Sequence, residues 1–296
     1  MFTTSLIAWA CLTTTVVLWG TAFVAIRAAL RAFSPGELSL LRIGIAAAAL
    51  CVALLPRRVK VPRVRDVTRI CAMAIVGITA YQLLLSTGEV DVPAATASFL
   101  IAVAPVLTAL LARLFLGERL SPVGWLGVGV AFAGTAVVAL GQSGSLKLST
   151  GAVIVLAAAG AQATFFVLQK PLLATYSPLE VTCYAMWIGV VPLVPFARGL
   201  AAAVRSASPF ANLSVLWLGV GASAIAFVTW ARALRDIPLA VAASALYLCP
   251  VVAAVSGWLV LDEVPTVTGV AGGLAIVGGV VLVTTSRRPD PLDADR

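Results

Sequence analysis

Long apolar runs separated by short polar breaks make up most of this chain. An α-helix needs about 20 apolar residues to cross the hydrocarbon core of a bilayer, and a membrane strand only about 10 alternating ones. The runs therefore predict spanning helices over 5–29, 36–55, 68–87, 94–115, 121–140, 150–169, 178–197, 212–231, 239–261 and 266–285. The expected fold class is an all-α membrane protein of about ten transmembrane helices. Short connections make sequential helices antiparallel. The first run has no basic residues ahead of it and no A-x-A site after it, so it reads as a retained helix and not a signal peptide. The polar, proline-containing segment 286–296 is expected to be a disordered tail.

The pattern repeats within the chain. A shift of 145 positions lays Asp91, Pro93, Pro105 and Glu118 on Asp236, Pro238, Pro250 and Glu263. It also lays Gly124, Gly127 and Gly134 on Gly269, Gly272 and Gly279. A shift of 143 aligns Thr21, Phe23 and Arg27 with Thr164, Phe166 and Lys170, and Ser34, Pro35 and Glu37 with Ser177, Pro178 and Glu180. Matched prolines, acids and glycines in one register point to a duplicated unit. The expected units are 1–143 and 144–285, followed by the tail. With five helices each, an odd number, the second must enter the membrane upside down relative to the first. Such inverted repeats suit alternating access in carriers.

Composition sharpens this picture. The chain is 61% hydrophobic and only 11% charged, against about 25% charged in soluble domains. With a cytoplasmic N-terminus, fourteen basic residues fall on inside loops and helix ends. Five fall outside (Arg27, Arg31, Lys147, Arg198 and Arg205), and Arg42 lies within a span. This bias predicts a multi-pass protein of a bacterial-type inner membrane with both termini cytoplasmic. The basic block over 57–69 serves as a topology anchor, with a lipid-binding patch as the alternative. The net charge of +8 does not imply nucleic acid, because no basic cluster is interleaved with stacking aromatics. The chain has no histidine, and its five cysteines are scattered without a CxxC pair. That removes histidine-based triads and metal sites, and neither a cofactor nor a bound metal is expected. No GxxxxGK[ST] motif occurs, so nothing suggests an ATP site.

The same residues resemble EamA-type permeases of the drug/metabolite transporter superfamily. The likeness rests on Trp19-Gly20-Thr21-Ala22-Phe23, on Leu41-Arg42, and on the block from Ala94 through Pro105 to Leu116-Gly117-Glu118-Arg119-Leu120. A second copy of that block runs from Ala240 through Pro250 to Leu261-Asp262-Glu263 and departs from the first at Val264-Pro265. The resemblance implies a ten-helix fold with a central cavity and export of amino acids, related metabolites or toxic compounds.

Several residues are candidates for the mechanism. Pro105 and Pro250 lie mid-span, where proline removes a backbone donor; they read as cavity-lining kinks or hinges, against a permanent packing kink. Arg42 either lines a cavity, where it could hold a substrate carboxylate, or snorkels to the nearby outer surface. The polar and aromatic residues of the spans include Trp19, Tyr81, Gln82, Ser98, Gln162, Gln169, Tyr184, Trp230 and Tyr247. Of these Trp19, Gln82, Gln162, Tyr184 and Tyr247 are taken for the cavity wall, with interhelical hydrogen bonding as the plainer role of the amides. All twelve carboxylates, Glu89 among them, are expected in loops, tails or helix ends. Simple proton antiport through a midplane acid is disfavoured on that count, and facilitated diffusion or coupling through helix-end acids fits better. Glu118 and Glu263 close their helices and read as loop-fixing acids first and coupling groups second. The glycine sets 124/127/129 and 269/273 are expected to pack helices closely, within the monomer or at the face of a homodimer.

The reading is a secondary carrier that exports a small organic solute, amino acids above all, by alternating access; its expected partners are that solute and the lipid bilayer, with a homodimer left open. A multidrug or toxic-compound efflux carrier of the same family is the alternative. From other classes come a lipid flippase and a membrane scaffold without transport. A membrane enzyme lacks the catalytic cluster it would need.

Overall fold

The structure is a computed structural model and describes residues 2–55, 59–92, 94–143, 149–261 and 267–285. Every regular element among these residues is helical. We number the long runs α1 (Phe2–Ala29), α2 (Pro35–Leu54), α3 (Val64–Asp91), α4 (Ala97–Leu116), α5 (Pro122–Ser143), α6 (Thr150–Leu172), α7 (Pro178–Ala197), α8 (Pro209–Asp236), α9 (Leu239–Ser256) and α10 (Val267–Thr285). Eight of these runs are long and apolar enough to span a bilayer. In α5 and α10 the apolar stretches Pro122–Val137 and Val270–Thr285 are shorter. Glu263 and the tail 286–296 lie outside the described residues.

The helix starts follow from local chemistry. Four helices, α2, α5, α7 and α8, open on a Ser-Pro pair. The serine hydroxyl accepts an orphan backbone N–H of the first turn (Glu37, Gly124, Glu180 and Ala211 respectively), and proline at the first helical position gives up a donor that has no partner there. In α2 and α7 the third residue, Glu37 or Glu180, bonds back to the capping serine's N–H and completes a capping box.

Two helices are longer than hydropathy predicts. α3 and α8 each run 28 residues, about 42 Å, beyond the roughly 30 Å of the hydrocarbon core. Each contains a π-helical segment, Ile75–Ala80 and Leu218–Ile225. A π segment shifts the side-chain register of the helix beyond it and often marks a functional site. The extension of α3 past residue 87 carries Glu89 into the helix.

Tight backbone approaches hold the bundle. α5 and α10 form an extensive pair. A Cβ on Gly127 would lie 2.6 Å from the Gly279 carbonyl, and one on Gly134 would lie 2.8 Å from the Gly272 carbonyl. In lipid, where apolar burial drives little association, such close contact between glycines is what joins helices. At Gly20 a Cβ would meet Val252 at 2.6 Å, so the glycine beside Trp19 lets α1 approach α9.

Basic residues close two helix ends in parallel fashion. Arg27 Nη1 donates to the Glu89 carbonyl at 3.2 Å near the end of α3. Lys170 Nζ donates to the Leu234 and Ile237 carbonyls at the end of α8. Cations there satisfy free carbonyls and complement the negative end of the helix dipole.

Candidate functional site

The site begins with interruptions in two helices. Proline at 105 cannot donate to the carbonyl of Ile101, and α4 breaks at Ala102 (φ −65°, ψ −4°). Proline at 250 cannot donate to Leu246, and there α9 passes through a 3-10 turn, Leu246–Leu248. Both prolines, with Ile101, Ala102 and Leu246, line one pocket that encloses about 580 Å³ of space, the open solvent at its mouth included.

The wall is apolar with a small polar group on one side. Trp19, Phe23 and Ile26 come from α1 and Phe227 from α8, while Leu85, Ile101 and Leu246 complete the apolar lining. Trp19 is fixed twice. Its Nε1–H donates to the Ala222 carbonyl at 2.9 Å, and its ring lies 5.1 Å from Phe227, edge-on, and 6.0 Å from Phe166, stacked. Trp230 supports it from behind at 5.6 Å and packs on Phe166 at 4.4 Å. These rings extend the apolar core behind the lining.

Arg42 faces this cavity. Its side chain is turned inward: the residue is 3% exposed, Nε donates to Ser223 Oγ at 2.8 Å, and Nη1 donates to Gln82 Oε1 at 2.9 Å. Snorkelling is thereby ruled out for this conformation. Gln82 lies two residues past the π segment of α3 and Ser223 lies within that of α8, so both partners of the guanidinium sit where the helical register shifts. Nη2 makes no hydrogen bond among the described residues. A guanidinium held on two nitrogens with one edge toward a cavity can receive a carboxylate. Tyr81, which also lines the cavity, accepts a long hydrogen bond (3.4 Å) from Gln162 Nε2, and Gln162 Oε1 has no partner among the described residues. Ser98 lines the same wall.

The profile of the EamA-like transporter family matches residues 6–140 and again residues 149–285. The chain belongs to the EamA-like transporter family. A probable terminal-alkyne amino-acid exporter of Streptantibioticus cattleyicolor is 44% identical over 275 residues, 93% of this chain and 92% of that one. The uncharacterized transporter YdfC of Bacillus subtilis is 31% identical over 263 residues, 89% of this chain and 86% of that one. One solved crystal structure, 22% identical, superposes with a TM-score of 0.75 over 96% of this chain and 97% of its own, which speaks to the fold alone.

In this EamA-like transporter, Trp19, Arg42, Gln162, Pro105 and Pro250 line the cavity, and Gln82 reaches it through Arg42. Tyr184 does not. Its hydroxyl donates to the Lys60 carbonyl, where Glu180 Oε1 also accepts the Lys60 N–H at 2.7 Å and Tyr176 accepts the Arg63 N–H at 2.8 Å. It ties down the segment before α3, because two tyrosines and a glutamate satisfy backbone that no helix satisfies there. Tyr247 also stays behind the wall. It is wholly buried, its hydroxyl has no partner among the described residues, and around it Leu246, Cys249 and Pro250 line the cavity instead. It sits within the 3-10 turn Leu246–Leu248.

Glu118 joins two helix ends. Gly117 ends α4 in the left-handed conformation (φ 70°), which turns the chain toward α9. The Glu118 carboxylate then accepts the N–H of Leu239 at 2.9 Å and of Ala240 at 3.0 Å, capping the positive end of α9. Glu118→Ala leaves those donors without their acceptor and is expected to cost about 1–3 kcal/mol, read as a lower melting temperature of the purified protein. Glu118→Gln, which keeps one acceptor, should fall between. Equal melting of all three proteins would remove the cap from the stability of the bundle.

Glu89 adds burial to the expected placement of the acids. It lies in the last turn of α3, a helix end, yet it is 0% exposed, and neither carboxylate oxygen has a hydrogen-bond partner among the described residues. Hydropathy places the end of this span before Glu89, because a charged residue ends an apolar window whether or not protein surrounds it. The spacing Tyr81, Leu85, Glu89 along one helical face is the sequence signal that connects it to the cavity. Phe23 and Phe227 give no such signal, since aromatics at helical spacing are ordinarily core.

Proposed function

We propose that this transporter exports small amino acids from the cytoplasm by alternating access. The guanidinium of Arg42, aimed into the cavity by Gln82 and Ser223, carries the reading: it receives the substrate carboxylate. The wall of Trp19, Phe23 and Phe227 receives an apolar side chain. A slim unsaturated side chain suits such a wall, in keeping with the 44%-identical relative named for terminal-alkyne amino acids. Two inverted five-helix units, 1–143 and 144–285, support rocking about the site, with Pro105 and Pro250 as the points where α4 and α9 flex. The basic bias of the loops supports both termini facing the cytoplasm of a bacterial-type inner membrane.

The test is efflux from liposomes containing the purified transporter, loaded in turn with labelled propargylglycine, norvaline, glutamate and an organic cation. Propargylglycine and norvaline are expected to leave faster than glutamate, and the cation to stay at the protein-free rate. Efflux of the cation alone would favour the toxic-compound alternative. Movement of labelled lipid instead of solute would replace the carrier reading with a flippase.

A further inference from the structure

Among the described residues two carboxylates are buried. Glu180 has donors: the Lys60 N–H at 2.7 Å and the Ser177 N–H at 2.8 Å. Glu89 has none on either oxygen. A buried carboxylate without donors is costly as an anion, so it demands a proton or a cationic partner. The nearby cations are committed elsewhere. Arg42 spends Nε and Nη1 on Ser223 and Gln82, and Arg27 spends Nη1 on the backbone carbonyl of Glu89. Both act on the Glu89 carboxylate through space, yet neither approaches within the 4.0 Å of an ion pair.

The placement gives this orphan acid a route to the cavity. Tyr81, Leu85 and Glu89 follow at four-residue steps on α3, and the first two line the cavity that Arg42 also faces. The titratable groups around Glu89 are Arg27 from α1, Arg42 from α2 and Tyr81 on its own helix. Where α6 packs on the same turn it brings Gly151 and Val155, beside Gly88, and α4 carries no titratable group before Arg113. A guanidinium that lines the cavity and a buried carboxylate one helical turn beyond its Leu85 wall, not touching each other, supply the two poles an amino-acid zwitterion needs.

Resting on the amino-acid reading above, we propose that Glu89 binds the substrate ammonium group and takes up a proton in its place when the substrate leaves. Substrate arriving from the cytoplasm displaces the proton from Glu89 into the cytoplasm. After release outside, Glu89 takes a proton from the outer solution, which neutralises the buried anion for the return. One proton thus enters for each zwitterion exported, and the proton gradient drives efflux.

Purified transporter in detergent, mixed with propargylglycine in weakly buffered solution, is expected to release protons. Its apparent Kd should rise by up to tenfold for each unit of falling pH, as competition between one proton and one ligand requires. 4-Pentynoic acid, the same skeleton without the ammonium, should bind with no proton release. Glu89→Gln should bind propargylglycine at least tenfold more weakly, with no pH dependence and no release, while melting at or above the wild-type temperature. Glu89→Asp should restore the release. A pH-independent Kd in wild type, or proton release that survives Glu89→Gln, overturns the proposal and leaves amino-acid export standing if efflux of propargylglycine persists. If wild type neither binds nor moves propargylglycine, the amino-acid reading has failed and this inference falls with it.

Discussion

Arg42→Ala is expected to reduce propargylglycine efflux by roughly 100-fold or more while the protein still inserts and purifies as a monodisperse species. Two charge-assisted hydrogen bonds to a carboxylate are together worth about 3 kcal/mol or more, which is that factor in binding. The fold should tolerate the change, because the groups left behind, Gln82 Oε1 and Ser223 Oγ, would face the space the arginine side chain vacates at the cavity wall, where water can replace it. Arg42→Lys separates charge from geometry. Lysine keeps the cation and loses the planar fork, so an intermediate rate is expected. Liposome efflux with matched protein incorporation is the measurement. Undiminished efflux by Arg42→Ala would remove this residue from the substrate site and with it the reason to prefer carboxylated solutes.

Gly279→Leu should be the most damaging of the simple packing substitutions, and its neighbour supplies the control. A Cβ at 279 would sit 2.5 Å from the Ala131 nitrogen and 2.6 Å from the Gly127 carbonyl, both backbone atoms that cannot rotate aside. A side chain there must separate α5 from α10. Overpacking of this kind costs about 1–3 kcal/mol and sometimes more. Gly278, one residue earlier on the same helix, has nothing within 4 Å, so Gly278→Leu adds the same volume to open space. Thermal unfolding followed by tryptophan fluorescence should show a clear loss for Gly279→Leu and little change for Gly278→Leu. Similar melting of the two variants would mean that the α5–α10 contact contributes little to the stability of this transporter.

The glycine contacts are also reciprocal. Gly127 meets Gly279 and Gly134 meets Gly272, while the 145-residue shift pairs 127 with 272 and 134 with 279. Each glycine therefore touches the counterpart of the other, the pattern expected where two related helices cross about a local two-fold axis. The sequence held the spacing. Only the packing revealed which glycine faced which.

Features that depend on near neighbours along the chain were legible in the sequence. Run length gives helices, Ser-Pro pairs give several of their starts, Gly117 gives a stop, and mid-span prolines at 105 and 250 break hydrogen bonds one turn earlier whatever surrounds them. The family was legible for the same reason, since its motifs are local strings. Contacts between distant segments were set by the folded bundle alone. Ser223 comes from 181 residues beyond Arg42 in the chain and Gln82 from 40, and only their convergence turns the guanidinium inward. Tyr184 was drawn off to Lys60 across 124 residues, and Tyr247 is wholly buried and absent from the cavity lining. Glu89 shows the difference most sharply. By hydropathy it ends a span, because an acid is expensive in lipid. In the folded bundle it is wholly enclosed by protein, with Arg27 of α1 and Arg42 of α2 brought near it, whose nearness no local pattern encodes.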